Sequence, residues 1–520
     1  MTITAHFYHR NLADQTEIIQ APLTFTVQKY SWAGMGGPKQ ATIVATGTEE
    51  DLANLVNYLR CPVAIYDDQE IVWWGYVNQI DLNLSKFSIT ASLDDMYNNV
   101  AVAYEQIGAG SSVGTRQTTA YNSDPTSVAE YGTKSALETS TGTTGTHANA
   151  DRDRILSEQK YPILGFPTKN TSGVSSVTFT CNGWWKTLEW QYYASPLMLA
   201  AMWANMTPAA DYLIGKTSGA SKAAQEIIPN VSNINAARVD LYMAKVGNPV
   251  DNVVIGIYSD PDGKTPTTQL ASATVAGSTL STSYGWVAVT FGAPYALTPG
   301  SKYFIQVSRS GGGDDTNYYK LAPQMYYMGD RHFVGYASST WTIITSEVIP
   351  WRIYSNNLVE TSAQCVSMVQ SAQFINGCNL AINSGISTES YRDGDGDILT
   401  EVEDLLKAGT TNSRRMLASV DRLRTVSIFE EDDGSKPWRM DTDFTLYDFY
   451  GNVAKKSKCP VGMYIVSKNF LAVNQMPNLL VLPSTFFVEE MEYNVATDEL
   501  STTSRGTQTA WDVIANPRRG

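Results

Sequence analysis

Between Gly36 and Tyr104 the apolar positions recur with two different periods. Leu52, Leu55, Val56 and Leu59 fall at i, i+3, i+4 and i+7, one face of a short amphipathic helix. Thr48 and Asp51 stand before it at capping-box spacing, with Asp in place of the usual Glu or Gln, and Pro62 ends it. Beyond Pro62 the period drops to two. Val63 and Ile65 run into the Asp67-Asp68-Gln69 turn, and Ile71, Trp73, Gly75 and Val77 return from it. Ile80, Leu82 and Leu84 make a third run, and Phe87, Ile89, Ala91 and Leu93 a fourth. The pattern predicts a helix packed across a curved antiparallel sheet.

Alternation dominates elsewhere too. Thr2 to Val27 reads as two strands joined by a polar segment. Residues 105–160 are rich in Gly, Ser and Thr and poor in bulky aliphatics, which predicts a long exposed loop without a core of its own. Val174 to Cys181 alternates again, and Trp184, Trp185 and Trp190 follow as a packed core corner or subunit interface in preference to a sugar platform. Residues 213–356 repeat short strands between regular turns: Val239, Leu241 and Met243; Val253, Ile255 and Ile257; Val287, Val289 and Phe291; Tyr303, Ile305 and Val307. That spacing predicts a β-sandwich with Trp286 in its core. Thr400 and Glu403 make a capping box for a short helix bearing Val402, Leu405 and Leu406, ended by Gly409. Trp438 to Tyr447, Val461 to Val466 and Phe486 to Val495 read as strands of a second barrel, and residues 501–520 as a flexible tail.

At 520 residues the chain is too long for one core. With 43% hydrophobic and 17% charged residues it is globular, and 29 Tyr and 12 Trp among alternating runs make it a mainly β, multi-domain protein. A net charge of -14 argues against nucleic-acid recognition through phosphate neutralisation, while an acidic wall would let a polyanion slide past. The five cysteines (Cys61, Cys181, Cys365, Cys378, Cys459) include no CxxC pair and read as buried reduced thiols. The first residues show no apolar core of signal-peptide length, and no later run has the length of a membrane span, so assembly in a cytoplasm is expected.

Candidate chemistry is sparse. There is no GxSxG, HExxH or P-loop, and the expectation is a protein that is not an enzyme and holds no cofactor. His6 and His9 would fall on opposite faces of a strand, a poor metal pair. Asp393, Asp395 and Asp397 echo an EF-hand loop, but Ile398 stands where Gly is needed and Asp404 where Glu is; a structural Ca²⁺ there, or at the sandwich aspartates, is the alternative to simple helix capping and turn solvation. Candidate glycan-binding residues cluster near the Gly-rich stretch of the sandwich: Tyr318, Tyr319, Tyr326 and Tyr327 for stacking, with Asp262 and Asp314, joined by Asp260 and Asp315, for hydroxyls. Arg414, Arg415, Arg422 and Arg424 form the basic cluster of an acidic chain. They read as a salt-bridged subunit interface to Glu430, Glu431, Asp432 and Asp433 of the same or an adjacent subunit, with DNA contact as the weaker alternative.

Several stretches carry a resemblance. The Gly36-Gly37-Pro38 opening, the Leu-rich helix, IVWWGYV at Ile71–Val77, Ser92 to Met96, the Trp-rich run from Cys181 to Trp190 and CPVGMYIV at Cys459–Val466 resemble tail hub (baseplate hub) proteins of long-tailed bacteriophages. Residues 213–356 resemble the jelly-roll, carbohydrate-binding-like modules inserted in phage baseplate proteins. The resemblance implies a first hub β-barrel domain with its packed helix at 1–104, hub segments at 161–212 and 357–500, the latter including the second barrel, and the jelly roll between them. It further implies a homotrimeric ring at the tail tip of the virion, joined to tail tube and distal tail proteins above and to central tip or fibre proteins below. The genome would pass through its channel without sequence-specific binding, and the jelly roll would engage host surface glycan. A receptor-binding protein of the baseplate is the alternative, with a free lectin or glycosidase behind it.

Overall fold

The computed structural model describes residues 3–12, 16–18, 23–107, 113–170, 173–203, 210–229, 234–260, 264–325, 333–344, 347–432, 434, 436–441, 445–458, 461–467 and 485–506. The fold is mainly β and divides into two compact units: Met1–Tyr193 with Glu360–Ile386 and Gly394–Gly520, and Ala194–Val359 with Ser387–Asp393.

In the first unit the helix starts where its cap predicts. Thr48 Oγ1 accepts from the Asp51 N–H at 3.3 Å and donates to Asp51 Oδ2 at 2.6 Å. The helix runs as α over Glu49–Ala53 and tightens to 3₁₀ over Asn54–Tyr58, burying Leu52 and Leu55. The second and third apolar runs are one strand, Glu70–Asn83. Its register against Ser176–Asn182 slips so that Gln79 faces Thr180 and Val77 faces Cys181, which leaves Asn78 as a bulge. That extra residue moves the buried face from Trp73 and Val77 to Ile80 and Leu82. The three tryptophans from Trp184 to Trp190 lie on a 3₁₀ turn and are buried, Trp184 and Trp190 against Tyr76 and Phe374. Gly36 (φ +92°) is what lets Trp185 in, since a Cβ there would stand 2.4 Å from its ring.

The main sheet is ordered Ile3–Phe7, Pro62–Asp67, Glu70–Asn83, Ser176–Asn182, Gly37–Thr46, Thr24–Ala33, Thr485–Asn494, Tyr464–Ser467, Trp438–Met440, Leu446–Tyr447. The strands expected as a second barrel therefore continue the first sheet, because Lys29–Ala33 pairs antiparallel with Glu490–Asn494. Part of the expected tail is also strand: Glu499–Gly506 pairs with Thr485–Asn494, and residues 507–520 lie outside the described residues.

The described part of 105–160 (105–107 and 113–160) is not the exposed loop expected. Ser135–Thr143 pairs in parallel with Asn99–Ile107, and the helices Pro125–Tyr131 and Gly145–Gln159 flank them. Val102, Tyr104 and Ala148 make a small core. Polar bonding supplies the order that aliphatics do not. Buried Asn98 donates to the Gly132 carbonyl at 2.8 Å and accepts from the Lys134 N–H at 2.8 Å, and Asp124 caps the first helix through the Ser127 N–H at 2.9 Å.

The second unit is an antiparallel sandwich of two six-stranded sheets, ordered Met198–Trp203, Trp351–Ser355, Ile234–Val246, Tyr318–Leu321, Tyr212–Ile214 (Gly285–Leu297 also pairing Ile234–Val246) and Gln269–Ala276, Asn252–Ser259, Tyr303–Arg309, Lys222–Ile227, Phe333–Ala337, Thr340–Ile344. Val239, Leu241, Met243, Ile255, Ile257, Val289, Phe291, Ile305 and Val307 fill it, as their alternation predicts. The unit begins before residue 213, because Met198–Trp203 pairs with Trp351–Ser355.

Candidate functional site

Of the candidate glycan residues, Tyr326, Tyr327 and Asp262 lie outside the described residues. Tyr319 is 0% exposed, so its ring offers no face to a sugar, and its hydroxyl donates to the Asp251 carbonyl at 2.8 Å. Asp314 spends its carboxylate inside its own turn, accepting from the Thr316 N–H at 2.8 Å and the Asn317 side chain at 2.9 Å. Those bonds, Asn317 first, hold its carboxyl below the usual range. Asp260 is buried. Tyr318 alone of the described tyrosines in this set keeps a half-exposed ring, with Lys216 Nζ 5.5 Å from its centroid.

The Gly-rich loop is instead organised by a pair that its sequence spacing hides. Arg309 grips Asp251 in two bonds, Nε–Oδ2 at 2.6 Å and Nη2–Oδ1 at 2.8 Å, and donates to the Gly215 and Asn317 carbonyls. Burial pushes the Asp251 carboxyl up, but bonds from Arg309, the Gly311 N–H and the Tyr319 hydroxyl outweigh it and leave the group below its ordinary value.

The surface with functional character lies on the outer face of the Ile234–Val246 sheet. Trp286, expected in the core, points outward, because Val287, Val289 and Phe291 take the inward phase of the same strand. It faces Tyr242 in register, with ring centroids 5.4 Å apart, and Tyr242 stacks on Tyr284 at 5.8 Å and 19°. Arg352 sits 3.8 Å above the Trp286 ring, Lys320 4.6 Å from the Tyr284 centroid and Arg238 4.7 Å from that of Tyr354. Carboxylates pin the row: Asp240 takes two bonds from Arg238, at 2.7 and 2.9 Å, and Asp211 accepts from the Tyr284 hydroxyl at 2.7 Å. The Asp240 bond raises the Arg238 pKa, while burial and then Asp211 raise that of Tyr284. Met202, exposed on the next strand but one, extends the apolar area. Aromatic rings flanked by cations and hydrogen-bonding carboxylates can stack on an apolar face and bind hydroxyl or acidic groups at its rim.

The arginine cluster divides. Arg414 meets Glu430 at 3.4 Å and Arg415 meets Glu489 at 2.6 Å within the same chain, while Arg505 pairs with Glu431. Arg422 and Arg424 lie at the other end of the Met416–Val420 strand and line a groove. Asp397, expected as part of an acidic run, is the actual N-cap of the Ile398–Lys407 helix, accepting from the Thr400 N–H at 2.9 Å; the cap therefore precedes Thr400 by three residues. His6 bonds Glu17 at 2.8 Å, and among the described residues no group of three or more His, Cys, Asp or Glu is placed to hold a metal ion. Cys61, Cys181 and Cys365 are buried and Cys378 is half-buried, none of the four in a disulfide, and Cys459 lies outside the described residues. No helix among the described residues is long and apolar enough to cross a membrane.

No family model and no curated protein matches the chain. Among solved structures it is similar to a glycoside hydrolase family 43 arabinoxylan arabinofuranohydrolase from Bacillus subtilis (9% identity, TM-score 0.15, 59% of this chain and 64% of that one). It is likewise similar to the insecticidal delta-endotoxin Cry8Ea1 from Bacillus thuringiensis (7%, TM-score 0.16, 65% and 54%) and to the tandem CBM22 domains of Paenibacillus barcinonensis Xyn10C (9%, TM-score 0.14, 64% and 91%). The chain spans less than two thirds of the first two, and at these TM-scores the likenesses carry no argument.

Proposed function

We propose that the chain is a structural subunit of a phage tail hub, forming a homotrimeric ring between tail tube and tip around the DNA channel, with the sandwich as an accessory reader of host glycan. The observation that supports the scaffold role is the main sheet of the first unit. It is built from strands at both ends of the chain, Thr24–Ala33 beside Thr485–Asn494, so the sandwich segment interrupts a scaffold that is completed only after it. The motifs that resemble hub proteins fall on that scaffold: IVWWGYV in a central strand and the Trp-rich run in its core. Immunogold electron microscopy of virus particles with antibody against residues 213–356 tests the assignment. Label confined to the tail tip is expected; label absent from particles and present on cell surfaces overturns it.

The aromatic row favours the accessory role. On a glycan array the isolated particle tip is expected to bind, and Trp286→Ala to weaken binding by at least about tenfold, a loss of about 1.4 kcal/mol or more. An unchanged array pattern with the chain still folded removes Trp286 from the glycan reading.

A further inference from the structure

The first unit contains a groove of about 240 Å³ whose walls include Tyr8, Trp74, Trp184, Leu423, Arg422 and Arg424. It lies under the turn between the Met416–Val420 and Thr425–Glu430 strands. That turn is held tightly: the Asp421 carboxylate accepts from the Thr425 N–H at 2.8 Å, the Arg424 N–H donates to the Asp421 carbonyl at 3.0 Å, and Arg424 takes a left-handed φ of +63°. The turn thus presents Arg422, Leu423 and Arg424 in sequence over an apolar floor. Leu423 is left 54% exposed.

The charge of this place is out of balance. Arg424 lies over the Trp184 ring with its carbon 5.6 Å from the centroid and meets only an amide, Asn376 Oδ1 at 3.3 Å. Arg422 has no ion pair among the described residues. Behind the Trp184 wall, Phe374 packs at 6.0 Å, and on Phe374 sits Arg60, 5.4 Å from its centroid. Arg60 is only 5% exposed; it donates to the Arg10 carbonyl, but its Nε and Nη1 have no partner. Burial, with the neighbouring Arg10 and Arg424 charges, brings its pKa down to about 10, and burial lowers that of Arg424. A chain of net charge -14 has carboxylates in excess, yet three guanidinium groups here face no carboxylate among the described residues. Of the three only Arg60, behind the wall, is buried; Arg424 is half-buried and Arg422 exposed, so these two remain open to an anion from outside that would offset the local positive charge.

We infer that the groove is a docking site for an acidic peptide segment of a partner protein, an aliphatic side chain entering beside Trp74 and Leu423 and an adjacent carboxylate meeting Arg422 and Arg424. A volume of about 240 Å³ is below the range of about 300–1,000 Å³ usual for whole small-molecule ligands and suits one or two side chains. Guanidinium forks take carboxylates in paired bonds, and the Arg424 fork stands 5.6 Å from the Trp184 centroid at the groove wall. The site is independent of the hub assignment.

The test is titration of the full chain, followed by tryptophan fluorescence and calorimetry, with a short capped peptide alternating leucine and aspartate. A control peptide alternates leucine and asparagine, and inorganic phosphate is titrated separately. The acidic peptide is expected to bind at least about tenfold more tightly than the neutral one, with an affinity that falls as salt rises. Arg422→Glu, at an exposed position, and Arg424→Gln are expected to abolish that difference while circular dichroism stays unchanged. Equal binding of the two peptides, or no binding of either, overturns the proposal. Phosphate that competes at the same affinity overturns it in favour of a bare anion site. Salt-sensitive self-association lost in Arg422→Glu, without peptide affinity, overturns it in favour of a second copy of the chain.

Discussion

Asp251→Asn is expected to destabilise the second unit by about 3–5 kcal/mol, the range for breaking a buried, hydrogen-bonded ion pair. Both side chains are mostly covered, 7% exposed for Arg309 and 12% for Asp251, so water cannot stand in for the lost charge. The substitution leaves Arg309 held among carbonyls without its counter-charge and also weakens acceptance from the Gly311 N–H and the Tyr319 hydroxyl. Urea denaturation, with amide exchange read at Asn252–Ser259 and Tyr303–Arg309, measures it; a loss below about 1 kcal/mol would sink the argument. The pH dependence has a definite sign. The folded carboxyl sits below its unfolded value of about 3.9, so the pair stabilises the fold above that pH. Its contribution then fades as pH falls through the depressed folded value. Asp251→Asn removes that acid-side slope, and an identical slope in the variant would show that other groups produce it.

Phe179→Ala is the comparable case in the first unit, with an expected loss of about 3–5 kcal/mol. Phe179 is fully buried on the strand that joins Gly37–Thr46 to Glu70–Asn83, opposite Ile43 on one side and Ile80 on the other. Phe7, Phe25 and Tyr58 surround its ring at 5.1, 6.2 and 6.2 Å, so truncation removes the common neighbour of three rings from three different elements. These anchors are themselves tied into the sheet and the 3₁₀ turn, and the cavity cannot collapse fully. Phe179→Leu should lose much less. Equal midpoints for Phe179→Ala and the parent in denaturant would contradict this packing account.

The helix after Thr48 and the strands around Trp73 were legible because burial on one face writes its period directly into the sequence. The Asn78 bulge was also written there, as the change of phase between Val77 and Ile80, though a phase change and a turn look alike in one dimension. Trp286 shows a signal passed over: Val287, Val289 and Phe291 already claimed the inward phase, so the even-numbered Trp286 had to face out. Other features had no local trace. Residues 105–160 are ordered by Asn98, Asp124 and backbone caps, none of which raises apolar content. The arginines looked like one cluster by number, but the Met416–Val420 strand separates Arg414 and Arg415 from Arg422 and Arg424 by its full length. Which strand pairs with which, as with Thr24–Ala33 and Thr485–Asn494, depends on contacts that no window of sequence contains.

That last pairing shapes how the protein is made. Lys29 and Glu492, joined across it at 3.0 Å, are 463 positions apart. At ribosomal rates of about 5–20 residues per second, the Thr24–Ala33 edge waits roughly 20–90 s for its partner to emerge. During that time it presents unpaired N–H and C=O groups, the template on which nascent chains aggregate or swap strands. Shielding of that edge by a chaperone during synthesis is therefore expected to limit yield, slow translation of the intervening segment to lower it, and early truncations should be the insoluble ones.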